Sequence, residues 1–96
     1  MRLDAAKREF KARKKNLRCT EVKALLESLG FDVRDGKRAG HKLFFHDGLP
    51  DFHSGSFNCG HGKNPEVRLP YITKIISVLE AHEESLREYL GEEKEK

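Results

Sequence analysis

The sequence predicts a two-layer α+β domain, and three observations carry that expectation. Two amphipathic helical stretches bracket the middle of the chain, three short strand-like runs lie between them, and turn residues separate those runs closely enough for antiparallel pairing. Helices gathered on one face of such a sheet give two layers around one core. At 96 residues there is room for one domain. A chain of that length buries only about 60–70% of its unfolded surface, so the core is expected to be small.

Residues 3 to 17 form the first expected helix, with Leu3, Ala6, Phe10 and Leu17 as its apolar stripe. The stripe is narrow, so this helix is expected to dock loosely on the domain or to wait for a partner. The next helix is clearer. Thr20 is placed as its N-cap and Glu21 in its first turn, and Val22, Leu25, Leu26 and Leu29 follow the i, i+3, i+4, i+7 rule up to Gly30. The run Phe31 to Arg34 then alternates apolar with polar, and Asp35-Gly36-Lys37 turns it into a second strand over 41–46. Asp47 to Pro50 break that strand, and a third, glycine- and serine-rich one is expected within 52–59. Pro70 suits the start of the last helix, whose core face is Ile72, Ile75, Ile76 and Leu79. Leu86 and Leu90 stay in phase, so this helix is expected to run on past Ala81, project from the domain and end at Gly91.

The net charge is only +3, but it is unevenly spread. Arg2, Lys7, Arg8, Lys11, Arg13, Lys14, Lys15 and Arg18 crowd the front, while Glu80, Glu83, Glu84, Glu88, Glu92, Glu93 and Glu95 dominate the end. This suggests an anionic partner for the front and solvent for the tail, against the plainer alternative of a solvated helix face. The expected organisation is a basic helical extension over 1–18, a central domain over 19–82 and an acidic helix end and tail over 83–96. Cys19 and Cys59 lack Cys-x-x-Cys spacing and make no disulfide framework, so they are expected to be reduced thiols. No apolar run is long enough to cross a bilayer and no apolar segment follows the basic front, which points to a cytoplasmic protein.

Between about Cys19 and Leu79 the order of elements and several short phrases resemble the HicA family of bacterial toxins. The phrase from Leu26 to Phe31 (LESLGF) ends the helix, Gly40-His41 opens the second strand with Phe44 three residues on, and His46-Asp47-Gly48 closes it. His61, Gly62, Lys63 and Asn64 follow the third strand and lead through Val67 into the helix near Tyr71 and Ile72. The resemblance implies a fold like that of double-stranded-RNA-binding domains, α-β-β-β-α, here with an extra basic N-terminal helix and an extended C-terminal one. It also implies an mRNA interferase of a type II toxin-antitoxin system, neutralised by an antitoxin of the HicB type. Family members carry a serine before the histidine; here Ala39 and Gly40 stand there. The basic segment before Cys19 has no counterpart in a minimal member.

RNA cleavage suits the residues present. The 2′-hydroxyl of RNA is a built-in nucleophile, so a protein need only move protons and stabilise the crowded phosphate, with no metal or cofactor required. Histidine holds both protonation states near neutrality. His41 is therefore the expected acid or base and His61 a weaker second, with Lys37, Arg38, Lys42 and Lys63 holding the RNA backbone. On a regular strand His41 shares a face with Leu43 and Phe45, while Lys42, Phe44 and His46 share the other. Adjacent Phe44 and Phe45 leave the core face open, so a structural histidine stands beside the catalytic one. His46, His53, Cys59 and His61 lack the paired spacing of a zinc site, and His82 is expected on a solvated helix face. A non-catalytic RNA- or DNA-binding module, and a protein-docking domain, remain as alternative functions.

Overall fold

The computed structural model describes residues 2 to 60 and 62 to 92. Its elements are α1 (Arg2–Ala12), α2 (Cys19–Ser28), β1 (Asp32–Asp35), β2 (His41–Phe45), β3 (Gly55–Asn58), α3 (Leu69–Ala81) and α4 (Glu83–Leu90). They form an α+β domain whose three strands make one antiparallel sheet in the order β1-β2-β3.

The register decides the question that the adjacent phenylalanines left open. Phe44 and its neighbour Phe57 on β3 are buried, and Phe44 makes aromatic contacts with Phe31, Phe52 and Phe57. The core therefore lies on the face of β2 that carries Lys42, Phe44 and His46. His41, Leu43 and Phe45 lie on the opposite face and are only half-buried. Helices α2 and α3 supply the apolar ceiling through Val22, Leu26, Leu29, Ile72, Ile75 and Leu79, all fully buried.

Helix α2 begins at Cys19 with Arg18 as its N-cap, two residues before the expected Thr20. The cap is assembled from elsewhere. The Glu21 carboxylate accepts from the Arg18 N–H at 3.1 Å, and Asn64 Oδ1 accepts from both the N–H and the hydroxyl of Thr20. The same loop is zipped to the helix entrance by Cys19 N–H to Pro65 O at 3.0 Å and Val67 N–H to Leu17 O at 2.8 Å.

Four expectations are corrected. Helix α1 is shorter than 3–17 and is not loose: Leu3, Phe10 and Leu17 are fully buried in the common core. The last helix does not project. It breaks at His82, and α4 folds back so that Leu86 is buried and Arg87 reaches Asp4 on α1 at 2.7 Å. His82 is accordingly half-buried with its ring 5.5 Å from Phe52, rather than solvated. Finally, Cys19 and Cys59 are joined in a disulfide, with Cα atoms 5.4 Å apart. A sequence separation of 40 hid that proximity from any local spacing rule.

The basic front and acidic end, expected to face outward, meet each other. Lys7 pairs with Glu83, Lys11 with Glu80 and Arg2 with Glu92, while Arg13 binds Glu9 and Glu21. Arg87 holds the Asp4 carboxyl below the usual carboxylate range chiefly by its hydrogen bond, and Lys7 does the same for Glu83. None of the described helices is long and apolar enough to cross a membrane.

Candidate functional site

The hairpin between β1 and β2 positions His41. Gly36 N–H donates to the His41 carbonyl at 2.7 Å and His41 N–H donates to Arg38 O at 3.1 Å, so residues 37 to 40 form a tight cap over the strand ends. The imidazole lies directly over Gly36. A Cβ there would stand 2.5 Å from His41 Nδ1, which is why this position has no side chain. The ring opens onto a depression of about 650 Å³ whose lining includes Lys37, Arg38, Leu43, Asn58 and Gly60.

Asn58 is the cross-strand partner of His41 and shares its face. Its Nδ2 donates to the Tyr71 hydroxyl at 2.8 Å, which ties the start of α3 to the depression. Neither residue was among the expected site residues, although Tyr71 marks the start of the last helix in the sequence. Alternation from buried Phe57 would have turned Asn58 outward, but only once the register of β3 was known.

The backbone just before His41 is fixed from the other side. Gly40 has φ +80°, and its carbonyl accepts from Cys59 N–H at 2.6 Å. A Cβ on Gly40 would meet the Gly60 carbonyl oxygen at 2.6 Å. Gly40 and Gly60 thus form a ridge of bare backbone, and the serine of the resembling family has no room at position 40.

Across that ridge lies a second cleft of about 460 Å³, where Lys23, Lys42 and Lys63 converge over the disulfide. The expected cations divide only in part. Lys37 and Arg38 stand with His41, Lys63 belongs to the neighbouring cleft, and Lys42 borders both that cleft and a hollow it shares with Lys37, Arg38 and His41. Lys42 is also engaged with Asp35, whose carboxyl it holds below the usual range by hydrogen bonding, with Lys23 adding to the effect. His61 lies outside the described residues.

The histidines separate by their surroundings. His46 is buried, its Nε2 lies 2.9 Å from the Leu29 carbonyl and its Nδ1 accepts from Gly48 N–H at 3.0 Å. Those partners require a neutral ring protonated on Nε2, and both nitrogens are occupied. Phe31 and Tyr89 contact the same ring edge to face. His46 is thus a structural residue of the β2 exit. His41, by contrast, has no hydrogen-bond partner for its ring among the described residues and faces open space. The disulfide takes the Cys59 sulfur out of any metal-ligand set.

An imidazole with free nitrogens beside two cations can take or give a proton at a bound phosphodiester. No family model, curated protein or solved structure matches the chain.

Proposed function

We propose that this chain is a metal-independent endoribonuclease, the toxin of a type II toxin-antitoxin pair, with the double-stranded-RNA-binding-domain-like fold that its resemblance to the HicA family implies. The observation that supports it is the unengaged His41 ring at the mouth of a depression bearing Lys37 and Arg38.

In this reaction a message lies with its phosphate against Lys37 and Arg38. His41 accepts the 2′-hydroxyl proton, the 2′-oxygen forms its bond to phosphorus and the bond from phosphorus to the 5′-oxygen breaks. A proton must reach that leaving oxygen, and His61 is the residue the resemblance offers. The products are a 2′,3′-cyclic phosphate and a 5′-hydroxyl. The enzyme works in the cytoplasm on mRNA and is held inactive by an antitoxin of the HicB type. A positioned base contributes on the order of 10²–10⁴-fold.

The bare Gly40–Gly60 ridge favours a second reading, a non-catalytic RNA- or DNA-binding module, because it excludes the hydroxyl that family members carry beside the histidine. One experiment separates the two. Wild type and His41→Ala, both shown to be folded by circular dichroism, are incubated with end-labelled single-stranded RNA in chelator. Cleavage by the wild type alone, leaving cyclic phosphate ends, supports the nuclease. RNA retained uncut by both proteins refutes it in favour of the binding module.

A further inference from the structure

The proposed nuclease site uses only one side of the ridge, with Lys37 and Arg38, yet the other side carries three lysines. Among the described residues no carboxylate lines the Lys23, Lys42 and Lys63 cleft, although Asp35 pairs with the Lys42 ammonium. Lys23 and Lys63 are exposed and, unlike Lys42, have no ion-pair partner among the described residues. The two depressions share Ala39 and Gly60, so they are continuous across a crest that carries little side chain. Bare backbone at a crest lets a ligand chain pass close over it, and three ammonium groups beyond it suit a second anionic group on that same chain.

We propose that this cleft seats a second backbone phosphate of the substrate, so that a single RNA strand crosses the Gly40–Gly60 ridge with one phosphate at His41 and a neighbouring one among Lys23, Lys42 and Lys63. The inference rests on the RNA reading and adds Lys23, a residue outside the resembling motifs. It makes the substrate a single strand that extends beyond the scissile phosphodiester.

The test is binding of the full chain to a labelled 2′-O-methyl oligouridine, which lacks the nucleophile and stays uncut, followed by fluorescence anisotropy across a salt series. Each phosphate neutralised on a single strand contributes about 0.7 to the slope of log Kd against log salt. Lys23→Ala and Lys63→Ala, both at exposed positions, are each expected to weaken binding and to flatten the slope, by about 0.7 in all when the two are combined. Unchanged affinity and slope in both variants, with a loss in Arg38→Ala, would overturn the second subsite and leave the nuclease reading standing. No binding by the wild type even at low salt would overturn both.

Discussion

Gly40→Ala tests whether the backbone beside His41 is rigid. Gly40 holds φ +80°, and an L side chain in the left-handed region costs about 1–2 kcal/mol. Reduced freedom of the unfolded chain returns about 0.4–1 kcal/mol. Gly91 is the natural control, because it holds φ +68° with nothing within 4 Å of a Cβ built there. Gly91→Ala should therefore lose about 0–1.5 kcal/mol. At Gly40 the new Cβ also meets the Gly60 carbonyl at 2.6 Å. That segment cannot easily give way, since Cys59 is tied to Gly40 by a hydrogen bond and to α2 by the disulfide. Overpacking of this kind costs about 1–3 kcal/mol, and a weakened hydrogen bond about 0.5–1.5 more. A further loss of about 2 kcal/mol at Gly40 corresponds to a midpoint roughly 10 °C below the control for a chain of this size. Thermal melts of the two variants side by side read the difference directly. Equal losses would show that the ridge relaxes freely, and the argument that it excludes a serine would fail with it.

Two further predictions concern the framework. Closing a loop of 40 residues, the Cys19–Cys59 disulfide should contribute about 4 kcal/mol by the chain-entropy relation. Urea midpoints of the wild type with and without a reductant should differ accordingly, and an unchanged midpoint would mean the bond is not formed in solution. Acid should also weaken the fold. Asp4 and Glu83 have carboxyls held below their ordinary values by Arg87 and Lys7, so their stabilisation is complete above the usual carboxylate range and is lost as pH falls through the lowered values. The melting temperature should drop progressively below about pH 4, and less steeply in Asp4→Asn, which lacks one of these carboxyls. Parallel curves for the two proteins would count against the Asp4–Arg87 pair.

What the sequence made legible was local. Helix α2 announced itself through Val22, Leu26 and Leu29, and all three are fully buried. The strands were bracketed by their turns, and His41 stands at the first position of β2. What it hid needed the third dimension. Leu86 and Leu90 keep the helical phase of α3, so nothing in the periodicity marks the break at His82; the reversal follows from packing of α4 on α1. Phe44 and Phe45 look alike until register with Phe57 selects one of them for the core. The same choice puts Lys42 and His41 on opposite faces of β2, which spreads the expected RNA contacts over neighbouring depressions. Asn58 and Lys23 join those depressions through cross-strand pairing and helix placement rather than through any motif.

The pairing of the two chain ends changes where an anion should bind. The sequence places its densest positive charge on α1, yet Arg2, Lys7, Lys11 and Arg13 all face carboxylates. Such pairs at a surface contribute little to stability, but they neutralise half of the basic front and leave Arg8, Lys14, Lys15 and Arg18 without an ion pair among the described residues. Among the described residues, Lys23, Lys37, Arg38 and Lys63 are likewise without an ion-pair partner, and all four border the depressions on either side of the Gly40–Gly60 ridge. A cation without a partner acts at longer range than one already neutralised, within the roughly 8 Å over which physiological salt permits it. The unpaired cations around the Gly40–Gly60 ridge therefore add a patch of positive charge beside His41 to the one that the sequence places on the basic front.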